Sequence, residues 1–583
     1  MCYTSLLRQG CSHSYISSSE HYPLMKGIHK TILLLAPLLL ASCAKQGYPS
    51  GGPVDKQPPV VKAVLPESET TNFQAKKFRL DFDEYVVMKD ADNNVLISPP
   101  MASKPEYSTK GHSLIVKLTD SLASNTTYLF QFKGAIVDFN EGNPLPSFEY
   151  VFSTGPQLDS MTLSGKVLDA LSQQPPNGSI TIVAHEITND CDTLGDSIVA
   201  KAMPAYQTRS AADGSFCFNY IRPGSYRIFA LDDSDKNLRY SASEAIAWLD
   251  STVTPTAMPK KATDSVFEQP ILSDSSFGHP ILLQLSLKEV LQQRVTSKQF
   301  TSRGCVQITT QSPLQNPTVE ADSVVWTLSA DRDTLSLWTL QAQRDSIHIV
   351  LTDSATALTD TIVLKYREPK KNRRNDESQM TMNTISPLIG SSHPWFDTMR
   401  VRFEAPLATS DPDSVAILML SDSSLTYASL QLDTVRVVAQ IVPSSPLKQG
   451  EKYRIFIPAG ICRDIYGRYN DSLSVVTTLT SSEDYGILSI DITKRPDNQT
   501  SLIAQLLGEK DAVVRQLPVE GSTITFSNLK PASYRVRLVY DLDGDGHWTP
   551  GDYYLRQQPE PVVYFPKTLQ LRANWEMSET WEL

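Results

Sequence analysis

Near the end of the chain Asp541, Asp543 and Asp545 alternate with Leu542 and Gly544, and Gly546, His547, Thr549 and Asp552 follow within one short stretch. Carboxylates at every second residue, a glycine for the sharp turn and later oxygen donors are what a loop needs to wrap six or more oxygens around Ca²⁺. On that spacing the ligand set is Asp541, Asp543, Asp545, His547 through its backbone oxygen, Thr549 and Asp552. Asp552 is shorter than the bidentate Glu that closes such loops, and the flanks read as strands, so a solvated acidic hairpin without metal is the competing reading. Trp548, Tyr553 and Tyr554 beside the loop are the rings a glycan-binding surface would use, although aromatics next to a turn also cap cores. An upstream counterpart, Asp232 to Asn237, is degenerate, which points to an acidic turn as the shared role.

Other chemistry is hard to find. The chain has no His-Glu-x-x-His, no Gly-x-Ser-x-Gly, no phosphate-cradling glycine loop and no Cys-x-x-Cys. His112, His185 and His348 fall in strand-like segments where a structural or exposed role is commoner than catalysis. Two acids on distant strands would leave no local trace, but the expectation is a non-enzymatic protein. Cys191 and Cys217 share one proposed module and have the option of pairing in an oxidising compartment; Phe216-Cys217-Phe218 reads equally well as a strand with an unpaired thiol.

The strongest local signal is at the other end. From Met25 the order is Lys26 and Lys30, an apolar run from Thr31 to Leu40, then Ala41-Ser42-Cys43. A positive start, a short apolar stretch and small residues at a cleavage point make a signal peptide. The run is about ten residues, half of the roughly 20 needed to cross a ~30 Å hydrocarbon core. Leu40-Ala41-Ser42-Cys43 resembles a lipobox, the motif at which bacterial lipoproteins are acylated on the cysteine thiol and cleaved before it. That resemblance implies a mature chain beginning at Cys43 and fastened by acyl chains, each buried methylene contributing ~0.8 kcal/mol. Residues 1–42 are then upstream sequence and signal peptide, with translation starting at Met25, and 43–57, rich in Gly, Pro and Lys, a flexible tether. The implied location is the outer membrane, with membrane lipid and other envelope proteins as partners. Ala44-Lys45-Gln46 lacks the acidic residues that resemble surface-export signals, so the periplasmic face is expected.

The net charge of −11 is dispersed, leaving no basic face for phosphates and excluding nucleic acid as a partner. Lys370 to Arg374, the one dense basic run, meets Asp376 and Glu377 at once and reads as part of a solvated linker over 368–383.

The elements that would position these residues are strands. A chain of 583 residues exceeds one core, and 38 prolines with recurrent Ser and Thr favour many short strands joined by turns. Over 58–156, Lys77 to Asp83 alternates strictly, Ser113 to Leu118 and Tyr128 to Phe132 follow suit, and Lys110-Gly111 and Ser124-Asn125 supply turns. Pro58-Pro59-Val60, Leu80-Asp81-Phe82-Asp83-Glu84, Leu122 to Tyr128, Ala135-Ile136-Val137-Asp138 with Gly142, and Phe152-Ser153-Thr154 together resemble the bacterial Ig-like domain of the SbsA type. The pattern returns over 384–483: Met399, Val401 and Phe403 alternate, Leu447 precedes Tyr453 as Leu122 precedes Tyr128, and Ile461 to Gly467 echoes Ile136 to Gly142. This is a divergent second copy. Each copy is followed by another repeated unit, 157–256 and 484–583, because Phe218 to Arg227 aligns without a gap to Phe526 to Arg535. These resemble the carboxypeptidase regulatory-like domain, a transthyretin-type sandwich without chemistry of its own. The alternating segments of 270–367 predict a fifth β-module. The whole is an all-β string of antiparallel sandwiches with a duplicated pair. Asp-Ser/Thr-apolar triplets such as Asp120-Ser121-Leu122, Asp333-Thr334-Leu335 and Asp433-Thr434-Val435 fit turns before strands, and also resemble an O-glycosylation motif of exported bacterial proteins.

Overall fold

The computed structural model describes residues 55–187, 195–258, 281–288, 293–302, 304–340, 346–367, 379–387, 390–494 and 501–583. Their regular elements are almost all strands, arranged as five consecutive β-modules. No helix among them is long and apolar enough to cross a membrane. Cys43, Cys191 and the Lys370 to Arg374 run lie outside the described residues.

In the first module one sheet orders Val61–Leu65, Lys77–Phe82, Ser113–Lys117 and Glu106–Lys110, and a second orders Val95–Ser98, Thr127–Phe132 and Phe148–Ser153. The alternation of Lys77–Phe82 turns Phe78, Leu80 and Phe82 into the space between the sheets, since successive side chains of a strand face opposite ways. There the Phe78 ring stacks on Tyr150 at 4.1 Å and meets Phe130 edge-on at 5.2 Å. The turns read from sequence take the left-handed backbone they need, at Gly111 (φ 61) and Asn125 (φ 49). Buried Asp138 ties the following turn by accepting from the backbone N–H of Glu141 (2.6 Å), Gly142 (2.8 Å) and Asn143 (2.9 Å).

The fourth module repeats this strand order, but Val415–Met419 pairs with Leu425–Leu432 and joins the two sheets into one of eight strands. Met399, Val401 and Phe403 are its buried alternating set, and Asp464 takes the place of Asp138, accepting from Tyr466 N and Arg468 N, both at 2.9 Å. Its strand Gln379–Met380 and the start of Met382–Ser386 lie in what the sequence reading gave to the 368–383 linker, and Met380 is a core residue. The module therefore begins before 384. The polar run ahead of it hides this edge, because only Met380 and Met382 are apolar there.

The second and fifth modules are one fold twice. In each, the strand at the start of the module is flanked on one side by an antiparallel strand, Ser215–Ile221 or Thr523–Leu529. On the other side lies a parallel strand, Ile281–Leu285 against Met161–Asp169 and Glu576–Glu582 against Gly486–Thr493. The facing sheets order Tyr206–Arg209, Thr181–Glu186, Tyr226–Leu231, Ile246–Trp248 and Val513–Pro518, Ser501–Leu507, Ala532–Asp541, Val562–Tyr564. The turn that betrayed the duplication is superposable in detail. Tyr226 Oη donates to Arg222 O (2.9 Å), Tyr534 Oη donates to Lys530 O (2.7 Å), and Tyr220 and Asn528 share a positive φ of 56° and 54°. The second module thus reaches 285 and does not stop at 256, so Ile281–Leu285 is taken from the middle module. A parallel partner must arrive by a long connection, which a linear reading cuts at the first polar stretch. The middle module packs a four-stranded sheet on a three-stranded one around Val306, Ile308, Leu335, Ile349 and Ile362.

Candidate functional site

Strand Ala532–Asp541 carries the chain to the acidic loop, delivering Asp541 at its buried end. Gly544 (φ 76) and Gly546 (φ 80) then bend the backbone so that its N–H groups point inward: Gly544 N donates to Asp541 Oδ1 (2.7 Å) and Gly546 N to Oδ2 (3.3 Å). Asp545 N donates to Asp543 Oδ1 (3.1 Å), His547 N to Asp545 Oδ1 (2.7 Å), and Thr549 Oγ1 to Asp543 Oδ2 (3.0 Å). As a result Asp541, Asp543 and Asp545 each place an oxygen within 4.8 Å of the others.

One carboxylate picked from sequence stands outside this group: Asp552 turns to the second module, where Lys288 Nζ lies 2.5 Å away. Burial works against the Asp552 charge, but Lys288 and backbone N–H groups more than offset it and hold the pKa below the usual carboxylate range. The carboxylate that ties the loop's backbone is Glu560, which sequence reasoning missed. It is buried and accepts from Leu542 N (2.5 Å) and Thr549 N (3.0 Å). Burial pushes its pKa up, against the lowering effect of those bonds.

The second module folds its counterpart loop the same way although the sequence there is degenerate, with Lys236 and Leu238 at the glycine positions and Asn237 at that of Asp545. Carrying the gapless alignment onward puts Asp233 on Asp541 and Asp235 on Asp543. Asp233 accepts from Asn237 N (3.0 Å) and Leu238 N (3.1 Å), and Lys236 (φ 58) and Leu238 (φ 60) adopt the backbone of the two glycines. Buried Glu244 plays the part of Glu560, accepting from Ser234 N (3.2 Å) and Ser241 N (3.0 Å). Had the pair Glu244 and Glu560 been sought, the signal was weak, because the fifth module inserts a tongue around Gly551 to Gln557 before its Glu.

That tongue explains where the loop's aromatics go. Gly551 N donates to Ser286 Oγ (3.1 Å), and Tyr553 is only 5% exposed, set among Phe229 (5.7 Å), Trp248 (5.3 Å) and Tyr240 (5.9 Å) of the second module. Gln558 Nε2 donates to Asp250 Oδ1 (3.2 Å) and Tyr564 Oη to Leu171 O (3.1 Å). Trp548 spends its ring N–H on Glu560 O (3.0 Å). Of the three rings expected to face a glycan, Tyr554 alone is exposed, and the acidic loop sits at a joint between the two duplicated modules.

A second joint links the middle and fourth modules. Trp338 Nε1 donates to Glu404 O (2.8 Å), and Tyr466 Oη lies 3.0 Å from Gly304 O and 2.9 Å from Thr339 O. Beside it a shallow cleft of about 410 Å³ is lined by Trp326, Leu340, Leu407 and Ile465 among others. Among the described residues no histidine joins a cluster of acids or thiols: His348 is exposed, and His185 is buried against Phe229, its pKa pushed down to about 4 by burial. Cys217 Sγ lies 3.3 Å from Thr162 Oγ1 and 3.2 Å from Asn219 Oδ1. Two of the Asp-Ser/Thr triplets sit beside turns, with Asp433 Oδ1 accepting from Val437 N (2.8 Å) and Asp333 Oδ1 from Ser329 Oγ (3.0 Å), whereas Asp360-Thr361-Ile362 lies inside strand Leu358–Lys365.

A known family accounts for the first and fourth modules. Residues 55–154 and 376–481 each match the family model of the bacterial Ig-like domain. No match was found among the curated proteins. Among solved structures, the N-terminal part of the bacterial S-layer protein SbsC is 14% identical over 32% of this chain, with a TM-score of 0.16. The chain spans 43% of that fragment's length. Escherichia coli alpha-2-macroglobulin domains MG0-NIE-MG1 are also 14% identical, over 48% of this chain and 97% of theirs, at a TM-score of 0.16. BcpA, the major pilin subunit of Bacillus cereus, is 8% identical over 72% of this chain and 99% of its own, at 0.13. What the fold and the matched segments define is a multi-module β-sandwich protein with two bacterial Ig-like modules.

Proposed function

We propose that the chain is a non-enzymatic cell-envelope lipoprotein, tethered through acylated Cys43 at the periplasmic face of the outer membrane, that serves as a rigid structural and protein-interaction scaffold. The observation that carries the scaffold reading is the interlocking of modules distant in sequence. Tyr553 in the fifth module completes an apolar cluster of the second, and Trp338 and Tyr466 clasp the third and fourth. Independent domains on a string would not invest buried aromatics in such contacts. The second and fifth modules, read as regulatory-like sandwiches, then act as spacers. Conserving the fold while replacing the anchor tests the tether. C43A should leave unfolding behaviour unchanged and move the chain from the membrane to the soluble fraction; a variant that stays with the membrane would refute it.

A second reading, calcium-assisted ligand binding, is favoured by the convergence of Asp541, Asp543 and Asp545. Calcium bound there would stiffen the base of the Tyr553 tongue. Titration of Ca²⁺ should raise the Tm of the wild-type chain and not that of D543A; equal behaviour of both removes the metal from the account.

A further inference from the structure

The second and fifth modules are one fold, so buried positions on their outer sheet faces can be compared one by one. Carrying the alignment of Phe218 to Arg227 with Phe526 to Arg535 two residues further puts Phe229 on Arg537. The strand registers then put Val183 on Gln505, Trp248 on Tyr564 and Gln207 on Gln516. In the second module Val183, Phe229 and Trp248 belong to the apolar cluster that receives Tyr553. In the fifth the same places hold an amide, a guanidinium and a phenol, and Gln505 and Arg537 are only 5% and 6% exposed.

Burying an arginine is costly unless an acid meets it, and among the described residues no carboxylate pairs with Arg537. Its bonds run two ways. Nε donates to Gln505 Oε1 (2.5 Å), Gln505 Nε2 donates to Gln516 Oε1 (2.7 Å), and Gln516 Nε2 donates to Gly546 O (2.6 Å) in the acidic loop. On the other side Nη1 donates to Tyr564 Oη (3.2 Å), which donates to Leu171 O (3.1 Å) in the second module. One charge thus polarises a continuous run of hydrogen bonds from the acidic loop to the joint. The sandwich itself does not require that run, because the second module keeps the fold with apolar residues in three of its places.

We infer that Arg537 is a positioning residue that couples the acidic loop to the joint, so that the orientation of the Gly546 carbonyl sets how firmly the fifth module holds the second. Turning that carbonyl away leaves Gln516 Nε2 without its acceptor. Gln505 and Arg537 then readjust, and the bond through Tyr564 to Leu171 weakens. Trp548 is a separate route between loop and joint, since it packs with Leu171 on Ile503, Val539 and Val562. Cutting the relay is what tells the two routes apart. The inference rests on the joint of the scaffold reading and needs no metal in the loop.

The test follows hydrogen exchange in the full chain at Tyr226–Leu231 and Ile246–Trp248, strands of the second module in which no residue is changed. Gly546 has φ 80 and a Cβ there would meet no atom within 4 Å, so G546A strains the backbone without a clash. It should raise exchange at those strands about fivefold, the factor carried by one net hydrogen bond. G546N, whose side chain tolerates the left-handed backbone, should leave exchange unchanged. With the relay cut by R537M, or at its far end by Y564F, adding G546A should change nothing further at the joint. Exchange at Gly486–Thr493 reports that the fifth module stays folded, and Y564F carries the comparison if R537M does not. An inert G546A, or an effect of equal size with and without the relay, would overturn the inference. Exchange that responds to Y553A and not to G546A removes the relay and keeps the joint; exchange that responds to neither removes the joint as well.

Discussion

Replacing Tyr553 by alanine should open the joint between the second and fifth modules without unfolding either. Tyr553 is 5% exposed and belongs to the tongue, outside both sandwich cores, so its ring contributes to docking and not to folding of the fifth module. Truncating a buried aromatic to alanine costs about 3–5 kcal/mol. Among the remaining links, Lys288 to Asp552, Gly551 to Ser286, Gln558 to Asp250 and Tyr564 to Leu171 are polar and each contribute on the order of 1 kcal/mol or less, while Leu171 against Ile503, Val539 and Val562 and the Tyr240–Tyr554 ring pair stay in place. At 1.4 kcal/mol per decade, the open population should rise at least roughly 100-fold. Hydrogen exchange reports this at strands Tyr226–Leu231 and Ile246–Trp248, whose outer face loses its cover, and X-ray scattering reports it as a longer maximum dimension. Unchanged exchange at those strands, or loss of the fifth module's own cooperative unfolding, would refute the argument that the tongue is a joint.

Other consequences are as specific. His185 has its pKa pushed from 6.5 down to about 4 by burial, so the folded state resists protonation that the unfolded chain accepts. Its contribution is therefore present above the unfolded pKa and is lost as pH falls from about 6.5 to 4, by about 3 kcal/mol; denaturation midpoints of H185L should lack that part of the slope. Glu560→Ala strips the acceptors from Leu542 N and Thr549 N and should destabilise the fifth module by about 1–3 kcal/mol, with Glu560→Gln recovering part of it in the same melts. Full stability in the alanine variant would show that the loop is held by something else.

What could be read in advance follows physical lines. Lys77–Phe82 and Met399–Phe403 were legible because a half-buried strand writes its burial as alternation. The duplication was legible because Tyr226 and Tyr534 close the same turn on the same backbone oxygen, which fixes the local spacing. Ile281–Leu285 was assigned to the wrong module because a parallel pairing leaves no mark near its partner in sequence. The acidic site was half legible: Asp541, Asp543 and Asp545 are local, whereas Glu560 is brought in by the next strand across an insertion. Asp552 fitted the loop spacing and was drawn away by Lys288, a residue of another module that no local pattern can announce.

The tether is tested most directly by the mass of the N-terminal proteolytic peptide from chain extracted out of native membranes. A peptide beginning at Cys43 and heavier by the mass of its acyl chains is predicted; an unmodified peptide, or one that continues upstream through Leu40-Ala41-Ser42, contradicts it.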